Sequence, residues 1–452
     1  MSRACLFLLV VAPLALAQPP REELPPLSPI PPTPEALGGG TQVSRPLQPV
    51  GKPDDRATED PSCDPADSPF DLAGFFAGLF MPDPSAPQFR PPMQAFYRSW
   101  LSAELMIGWA KGVQLPPLAT SNPVAPPVLG DPNTAVVLGG RRSGFGGYPG
   151  GRFTAGRWAD PDRTFGAEVG YTLFGTHTDT TAVGGGGPNG TSLLGRPLFN
   201  PRAGAEDVVY VAHPLMTGSL RVSESLRVQG WEATGLARLA GDAFFRVHAV
   251  GGYRYFQVNE GVRFDQRSEF VRTVGDLAVV HRSASADQID GHNGFHGGLL
   301  GLRAQFDGHG IFLQFDGRVS LGQVTQVVTV SGQTIAARDL PTGPEVVAFP
   351  NGVFGQPTNA GRIGRGRFAV LPEAGVRLGG QFGPRWWWHV GYQFTYLSDV
   401  VRAADQLDRT VDLTQAIPDP LNLISPATRP RVPFARSDFW VQGVTLGLEW
   451  RY

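Results

Sequence analysis

From Tyr97 onward the chain is built of segments in which apolar and polar residues alternate one by one, the period of a strand whose two faces meet different surroundings. In the final segment Val444, Leu446, Leu448, Trp450 and Tyr452 alternate with Thr445, Gly447, Glu449 and Arg451. The same design sets Trp386, Trp388, Val390, Tyr392, Phe394 and Tyr396 against Arg385, His389, Gln393 and Thr395. Phe368, Val370, Ala374, Val376 and Leu378 oppose Arg367, Glu373 and Arg377, and Ile311, Leu313, Phe315 and Val319 oppose Gln314, Asp316 and Arg318. Phe165, Ala167, Val169, Tyr171 and Leu173 oppose Glu168 and Thr172, and the series opens with Leu101, Ala103, Leu105, Ile107 and Trp109 against Ser102 and Glu104. Weaker alternation runs near 151–159, 220–239, 244–256 and 294–306. The pattern predicts about ten strands, with twelve as the alternative count.

The connectors alternate in length. Short turns fall at Asp160-Pro161-Asp162-Arg163, Gly241-Asp242, Asp307-Gly308-His309-Gly310 and Gly383-Pro384, while long stretches rich in Gly, Pro, Asn, Asp and Thr cover 110–150, 175–219, 257–293, 331–365 and 399–435. Short turns at one end and long loops at the other are the habit of a membrane barrel, and an even strand number brings both termini to the short-turn side. A sheet can cross lipid only when it closes on itself and leaves no free edge. The predicted fold is therefore all-β: a closed antiparallel transmembrane β-barrel over 97–452. Its predicted lumen-facing residues are Glu104, Glu168, Asp316, Arg318, Glu373, Arg377, His389, Glu449 and Arg451. Trp100, Trp109, Trp158, Trp386, Trp388, Trp440, Trp450 and Tyr452 are the expected aromatic girdle, where amphipathic rings favour headgroup depth.

Upstream of the alternation the chain changes twice. Residues 1–17 have the form of a secretory signal, with Arg3, an apolar run from Leu6 to Leu16 and a small-residue site that places cleavage between Ala17 and Gln18. Residues 18–96 form a proline-rich leader that cannot bury enough apolar surface to order itself, broken by one apolar stretch over 70–80. With Cys5 in the signal, Cys63 is the single cysteine of the mature chain, which excludes an internal disulfide framework. A net charge of −2 gives no basic face for nucleic acid, and that class of partner is discarded.

Motifs along 97–452 bear a resemblance to a known family. They include Leu115-Pro116-Pro117-Leu118, the run from Gly150 to Trp158, Arg196-Pro197-Leu198-Phe199-Asn200, Gly252-Tyr253-Arg254-Tyr255 and the run from Gly317 to Gly322. They continue through Pro357-Thr358-Asn359, the run from Arg367 to Glu373, Val400-Val401-Arg402, the run from Asp405 to Arg409, and the closing block from Ser437 to Val444. In order and spacing these resemble the putative β-barrel porin family 7, outer-membrane proteins found largely in planctomycetes. The resemblance implies an exported barrel in the cell outer membrane and a porin for passive diffusion of small solutes. It names no catalytic residue. Trp440 to Tyr452 also resembles the C-terminal strand by which outer-membrane proteins meet the barrel assembly machinery, so outer-membrane lipid and that machinery are the expected partners.

Local signatures of chemistry are few. His292 and His296 stand four apart, but Gly294 between them argues against a helix and the glutamate of a metalloprotease motif is missing, so a surface loop is the expectation. Gly185, Gly187 and Gly190 match a dinucleotide fingerprint in form only, with no strand leading in and no helix following. No catalytic, cofactor or metal residue is predicted, and the chain is not expected to be an enzyme. A loop-borne site at His177 with Asp179, or at His281, is the minor alternative. Two readings of the lumen remain. Ten strands enclose a narrow interior that paired charges can plug, giving a closed structural or surface-interaction barrel, whereas unpaired charges would line an open pore of weak ion selectivity.

Overall fold

The computed structural model describes residues 97–187, 192–242, 244–274, 277–340, 342–415 and 427–452. The expected signal peptide, the leader with its 70–80 stretch and Gly190 lie outside them. In chain order the strands are β1 (Ser99–Ala110), β2 (Pro117–Asn122), β3 (Ala135–Gly139), β4 (Phe145–Trp158), β5 (Phe165–Phe174), β6 (His177–Gly185), β7 (Leu193–Asn200) and β8 (Ala205–Ala212). They continue with β9 (Met216–Gly241), β10 (Phe245–Val274), β11 (Leu277–Gly308), β12 (Ile311–Leu340), β13 (Gly343–Phe349), β14 (Gly361–Gln381), β15 (Trp386–Val400) and β16 (Ser437–Arg451). No helix among the described residues is long and apolar enough to cross a membrane.

Ten of these strands form a ring. Each pairs antiparallel with both neighbours in the order β1-β4-β5-β9-β10-β11-β12-β14-β15-β16, and β16 returns to β1. The seam runs from Trp100 opposite Arg451 to Ala110 opposite Val441. It is tied at its end by the Ser99 N–H donating to the Tyr452 carbonyl and the Tyr452 N–H donating to the Ser99 carbonyl, each at 2.9 Å. Closure leaves the ring no unpaired edge, the condition for placing a sheet in hydrocarbon.

The short connectors sit where the alternation predicts them, all at the end that holds Ser99 and Tyr452. Asp160 caps its turn by accepting from the Thr164 N–H at 2.8 Å and the Phe165 N–H at 2.9 Å, and these bonds hold its carboxyl below the usual range. Asp242 repeats the device with the N–H groups of Phe244 and Phe245. Gly241 is required by its turn: its φ is +127°, and a Cβ there would meet the Phe245 carbonyl oxygen at 2.1 Å.

Side chains on the ring are sorted inside out relative to a soluble protein. On β1, Leu101, Ala103, Leu105, Ile107 and Trp109 point outward, with Leu105 74% exposed, while Glu104 on the inward face is 3% exposed. Phe368, at 66%, and Val444, Leu446 and Leu448 continue the exposed apolar surface on β14 and β16. Water would penalise such a face and lipid would not.

The long strands carry a second feature. On β9 the outward residues Trp231, Ala233, Gly235, Ala237 and Leu239 are apolar or small, and beyond them come Gln229, Arg227, Ser225, Ser223 and Arg221; the inward residues turn over the opposite way, from Glu232 and Thr234 to Val228, Leu226, Val222 and Leu220. On β10 the outward face passes from Val247, Ala249, Tyr253 and Tyr255 to Gln257, Asn259, Arg263 and Asp265. The reversal marks where the wall leaves lipid for water. The apolar band is about nine residues deep, the length a tilted strand needs to cross the hydrocarbon.

Beyond the band the expected long loops are largely ordered sheet. Residues 257–293, expected as loop, are mostly the outer halves of β10 and β11, and β6 and β13 add to β9 and β12 at that level. β2, β3, β7 and β8 form a separate small sheet in the order β3-β2-β7-β8. The connection between β13 and β14 and the described residues between β15 and β16 are irregular, with short 3-10 turns at Ala404–Gln406 and Leu413–Gln415.

A charge on the lipid face tests the assignment directly. Leu105→Arg should lower folding stability in vesicles by about 2–4 kcal/mol, the cost of a cationic side chain near the bilayer midplane of a barrel, read by denaturant titration of the heat-modifiable folded band. An exposed leucine of a water-soluble sheet would accept the same change within about 0.5 kcal/mol, and that result would refute the band.

The barrel interior as candidate functional site

The inward residues within the band form one connected layer of charge, because an ionised side chain removed from water must find an opposite charge or hydrogen-bonding partners. Arg303 on β11 donates to both oxygens of Glu168 on β5 at 3.1 Å and to Asp316 on β12 at 2.8 Å. Asp316 also meets Arg318 at 3.2 Å and Arg377 of β14 at 3.4 Å. Arg318 continues to Glu232 on β9 at 2.9 Å, Glu232 to Arg254 on β10 at 3.3 Å, and Arg254 to Glu373 on β14 at 2.7 Å. Arg377 lies 3.5 Å from Glu104, whose other partner is His389 on β15 at 3.3 Å. Arg152 lines the same space and donates to Thr172 at 3.2 Å. The gap among these groups is about 30 Å³, room for roughly one water molecule. Nearer the short turns a second gap of about 80 Å³ is lined by Tyr97, Trp100, Trp158, Arg163, Arg246 and Arg451 among others.

Above the charges the interior turns apolar. Met106, Leu226, Val228, Phe256, Val258, Phe295, Val324, Leu371, Leu397, Phe439 and Val441 are buried together with Phe145, Tyr148 and Phe174 in a single cluster. All of these are side chains of the ring strands themselves. They meet across the lumen because ten strands bring opposite walls close enough for their side chains to touch.

The mouth beyond that layer is filled by segments docked on the inward faces of β10 and β11. Asn293 holds Val401 through both its backbone groups at 2.8 Å, and Arg402, 1% exposed, donates to Glu260 at 2.6 Å and to the Lys111 carbonyl at 2.9 Å. Gly291 permits the approach, since a Cβ there would lie 3.0 Å from the Val401 carbonyl oxygen. Asp287 accepts from the Phe354 and Gly355 N–H groups at 2.9 and 2.8 Å and pairs with Arg196 at 2.8 Å, both side chains fully buried. The Arg196 guanidinium lies 4.4 Å over the Phe354 ring. The small sheet packs through Leu118, Leu198 and Val211 on Leu220, Val222, Val262 and Phe264.

All nine lumen-facing residues expected from the alternation are on the inward face. Seven belong to the charge layer; Glu449 and Arg451 pair with each other at 2.5 Å nearer the short-turn end, with Arg451 4.1 Å over the Trp387 ring. Arg152, Glu232, Arg254, Arg303 and His248 also line the interior and were missed, because glycines interrupt both faces of β4, β9, β10 and β11, at 151, 235, 251 and 298 on the outward face and at 156, 230, 252 and 301 on the inward one. Counting alternate positions outward from Tyr253 and Tyr255 could have found Arg254.

Trp109, Trp386, Trp388, Trp440, Trp450 and Tyr452 point outward; Trp450 stacks on Tyr452 at 4.4 Å at the short-turn end, and Trp440 on Phe394 at 6.4 Å toward the other. Trp158 corrects the expectation, and Trp100 with it: both face inward, 5.4 Å apart, with Trp158 5.1 Å from His248. The physical reason is a pair of inward glycines: a Cβ on Gly166 would lie 2.7 Å from the Trp158 ring, and one on Gly156 would lie 2.0 Å from the Trp100 ring.

His292 and His296 lie in the middle of β11, not in a loop, and both face outward. Among the described residues no group of three His, Cys, Asp or Glu is placed to hold a metal ion. His177 and Asp179 share β6, whereas His281 stacks on Phe270 at 4.7 Å near the far tip of β10 and β11, so the structure does not bring His177 and His281 together. Gly185 ends β6, and Gly187 follows it with a φ of +82° in a turn.

Removing one member of the charge layer leaves its partners buried and uncompensated. Arg303→Met should destabilise the folded barrel by about 3–5 kcal/mol, measured by denaturant titration in vesicles. A loss below about 1 kcal/mol would mean that water reaches Glu168 and Asp316 freely.

Among curated proteins none matches the chain. Of solved structures, the outer membrane protease OmpT from Escherichia coli aligns at 8% identity over 78% of this chain and 97% of its own, with a TM-score of 0.37. A Pseudomonas aeruginosa FadL homologue aligns at 8% over 79% and 90% with a TM-score of 0.21, and the P. putida toluene transporter TodX at 8% over 81% and 91% with a TM-score of 0.17. None of these likenesses is close enough to bear on function. The model of the family described as Putative beta barrel porin-7 (BBP7) matches residues 100–452, so the chain belongs to that family of β-barrel porins.

Proposed function

We propose that the protein is a closed outer-membrane barrel: a wall sealed by its own side chains that anchors a structured crown of sheet and docked loops at the cell surface, without catalysis of its own. The observation that carries this reading is the apolar layer. Phe256, Phe295, Val324, Leu371 and Phe439 project from five different ring strands and meet in the lumen, so the seal is part of the wall and not a loop that can swing aside. A layer of water-excluding side chains opposes ions and polar solutes, and the charges below it are paired with one another. Family membership supports the outer-membrane placement, and the surface-interaction role follows from the extent of ordered structure beyond the band.

Passive diffusion of small solutes is the second reading, favoured by the family's description as porins. It requires the apolar layer to part and the ion pairs beneath it to separate together. Planar-bilayer recording distinguishes the two. Protein shown to be inserted and folded by its heat-modifiable migration should give no stepwise conductance. Stepwise openings of the unaltered chain would establish the pore instead. Turnover of a peptide or lipid substrate that His177→Ala abolishes would overturn the non-enzymatic part of the proposal.

A further inference from the structure

The outer face of the wall changes character within two rungs on β5, β9, β10 and β11. Tyr171, Trp231, Tyr255 and His296 lie opposite one another across these strands. The Trp231 ring is 5.2 Å from Tyr253, and the Tyr253 hydroxyl meets His296 Nδ1 at 2.6 Å. The next rungs outward carry Gln229 and Gln257, then Arg227, Asn259 and His292. These are joined sideways: Gln229 donates to Gln257 at 2.9 Å, Tyr255 donates to Gln257 at 2.8 Å, Gln257 donates to Asn259 at 3.1 Å, and Asn259 meets His292 Nδ1 at 2.7 Å. The result is a belt of neutral hydrogen-bonding groups directly above an aromatic rung, continuous with the lipid-facing band.

Arginines flank the belt. Arg227 donates only to the neutral Gln229, at 3.3 Å, and Arg362 stands near His292, whose imidazole burial and that guanidinium hold below its ordinary value. Neither arginine has a carboxylate partner among the described residues. The acids of the same face are otherwise engaged: Asp265 pairs with Arg263 at 2.8 Å, and Asp290 accepts from Gln288 at 3.0 Å. Exposed cations without a carboxylate partner, set just above an aromatic rung at the edge of lipid, are placed where headgroup phosphates lie.

We infer that this sector of the wall binds the headgroups of anionic lipids, with phosphates at Arg227 and Arg362 and uncharged headgroup oxygens along the Gln229, Gln257, Asn259 and His292 belt. The inference rests on the membrane placement proposed above. A soluble phosphate source is disfavoured, because the aromatic rung gives the site an acyl-chain side that a free anion does not use.

The test is lipid retention by the full chain folded into vesicles of phosphatidylcholine alone or mixed with phosphatidylglycerol, then extracted and analysed by mass spectrometry. The unaltered chain should retain phosphatidylglycerol above its bulk fraction. Arg227→Gln and Arg362→Gln should each reduce that enrichment about fivefold at low salt, with the loss fading as salt is raised. Arg267→Gln, farther out on β10, should leave it unchanged. Equal retention by the unaltered and doubly substituted chains, or enrichment that inorganic phosphate displaces as readily as lipid, would overturn the inference. Failure to insert even into phosphatidylcholine would overturn the barrel placement itself, a separate outcome from loss of lipid preference in a protein that inserts.

Discussion

Every other feature of this structure depends on the closure of backbone hydrogen bonds around the ring. In hydrocarbon an unpaired amide or carbonyl costs several kcal/mol, and a strand exposes one of each at nearly every residue. The tie between Ser99 and Tyr452 therefore joins two ends separated by the whole length of the barrel sequence. Once the ring is closed, the alternation of side chains allots one face to lipid and the other to a narrow lumen that side chains largely fill. Glu104, Glu168, Glu232, Asp316 and Glu373 could not lie inside such a lumen without Arg254, Arg303, Arg318 and Arg377 among them.

The reversal of polarity along β9 to β12 shows the same constraint relaxed. Where the wall stands in lipid, apolar side chains face out and charges face in. Where it stands in water, Arg221, Arg227 and Arg263 face out, and Leu220, Val222, Val262 and Phe264 face in against the small sheet. One continuous strand thus serves two solvents without a break in register, and the handover falls at Trp231 and Tyr255, rings suited to an interface. This also explains the buried arginines of the crown. Arg196 of β7 ties the small sheet to Asp287 and Arg402 ties an irregular segment to Glu260, giving directional anchoring to the wall where no ladder joins them to the ring.

The ring was legible in the sequence because lipid enforces strict alternation, and β1, β5, β12, β14, β15 and β16 carry it with large apolar residues such as Leu105, Phe315, Phe368 and Leu446. The short turns followed from their Asp, Gly and Pro content. The crown was not legible. Its strands keep the two-residue period but exchange its sense, so 257–293 reads as a polar, glycine-bearing loop unless Val258, Val262, Phe264 and Ile289 are seen as an inward set. Trp158 was misassigned for a related reason. An aromatic at a strand end fits either face by type, and the room left by Gly156 and Gly166 accommodates the Trp100 and Trp158 rings on the inward side. The charge layer was half visible, because an inward arginine such as Arg254 declares itself only once the register of its strand is known.

The seal proposed for the lumen bears on what kind of change could open it. A channel blocked by a loop opens when the loop's contacts are lost, which leaves the wall intact. Here Phe256, Phe295, Leu371 and Phe439 belong to the wall, so clearing a path means rotating or compressing several strands at once, and each strand is paired to two neighbours. Withdrawal of the docked segments would free Asn293, Glu260 and Asp287 yet leave the apolar layer in place beneath them. Loop motion at the surface and permeability through the barrel are therefore separable properties under the proposed closed-barrel reading.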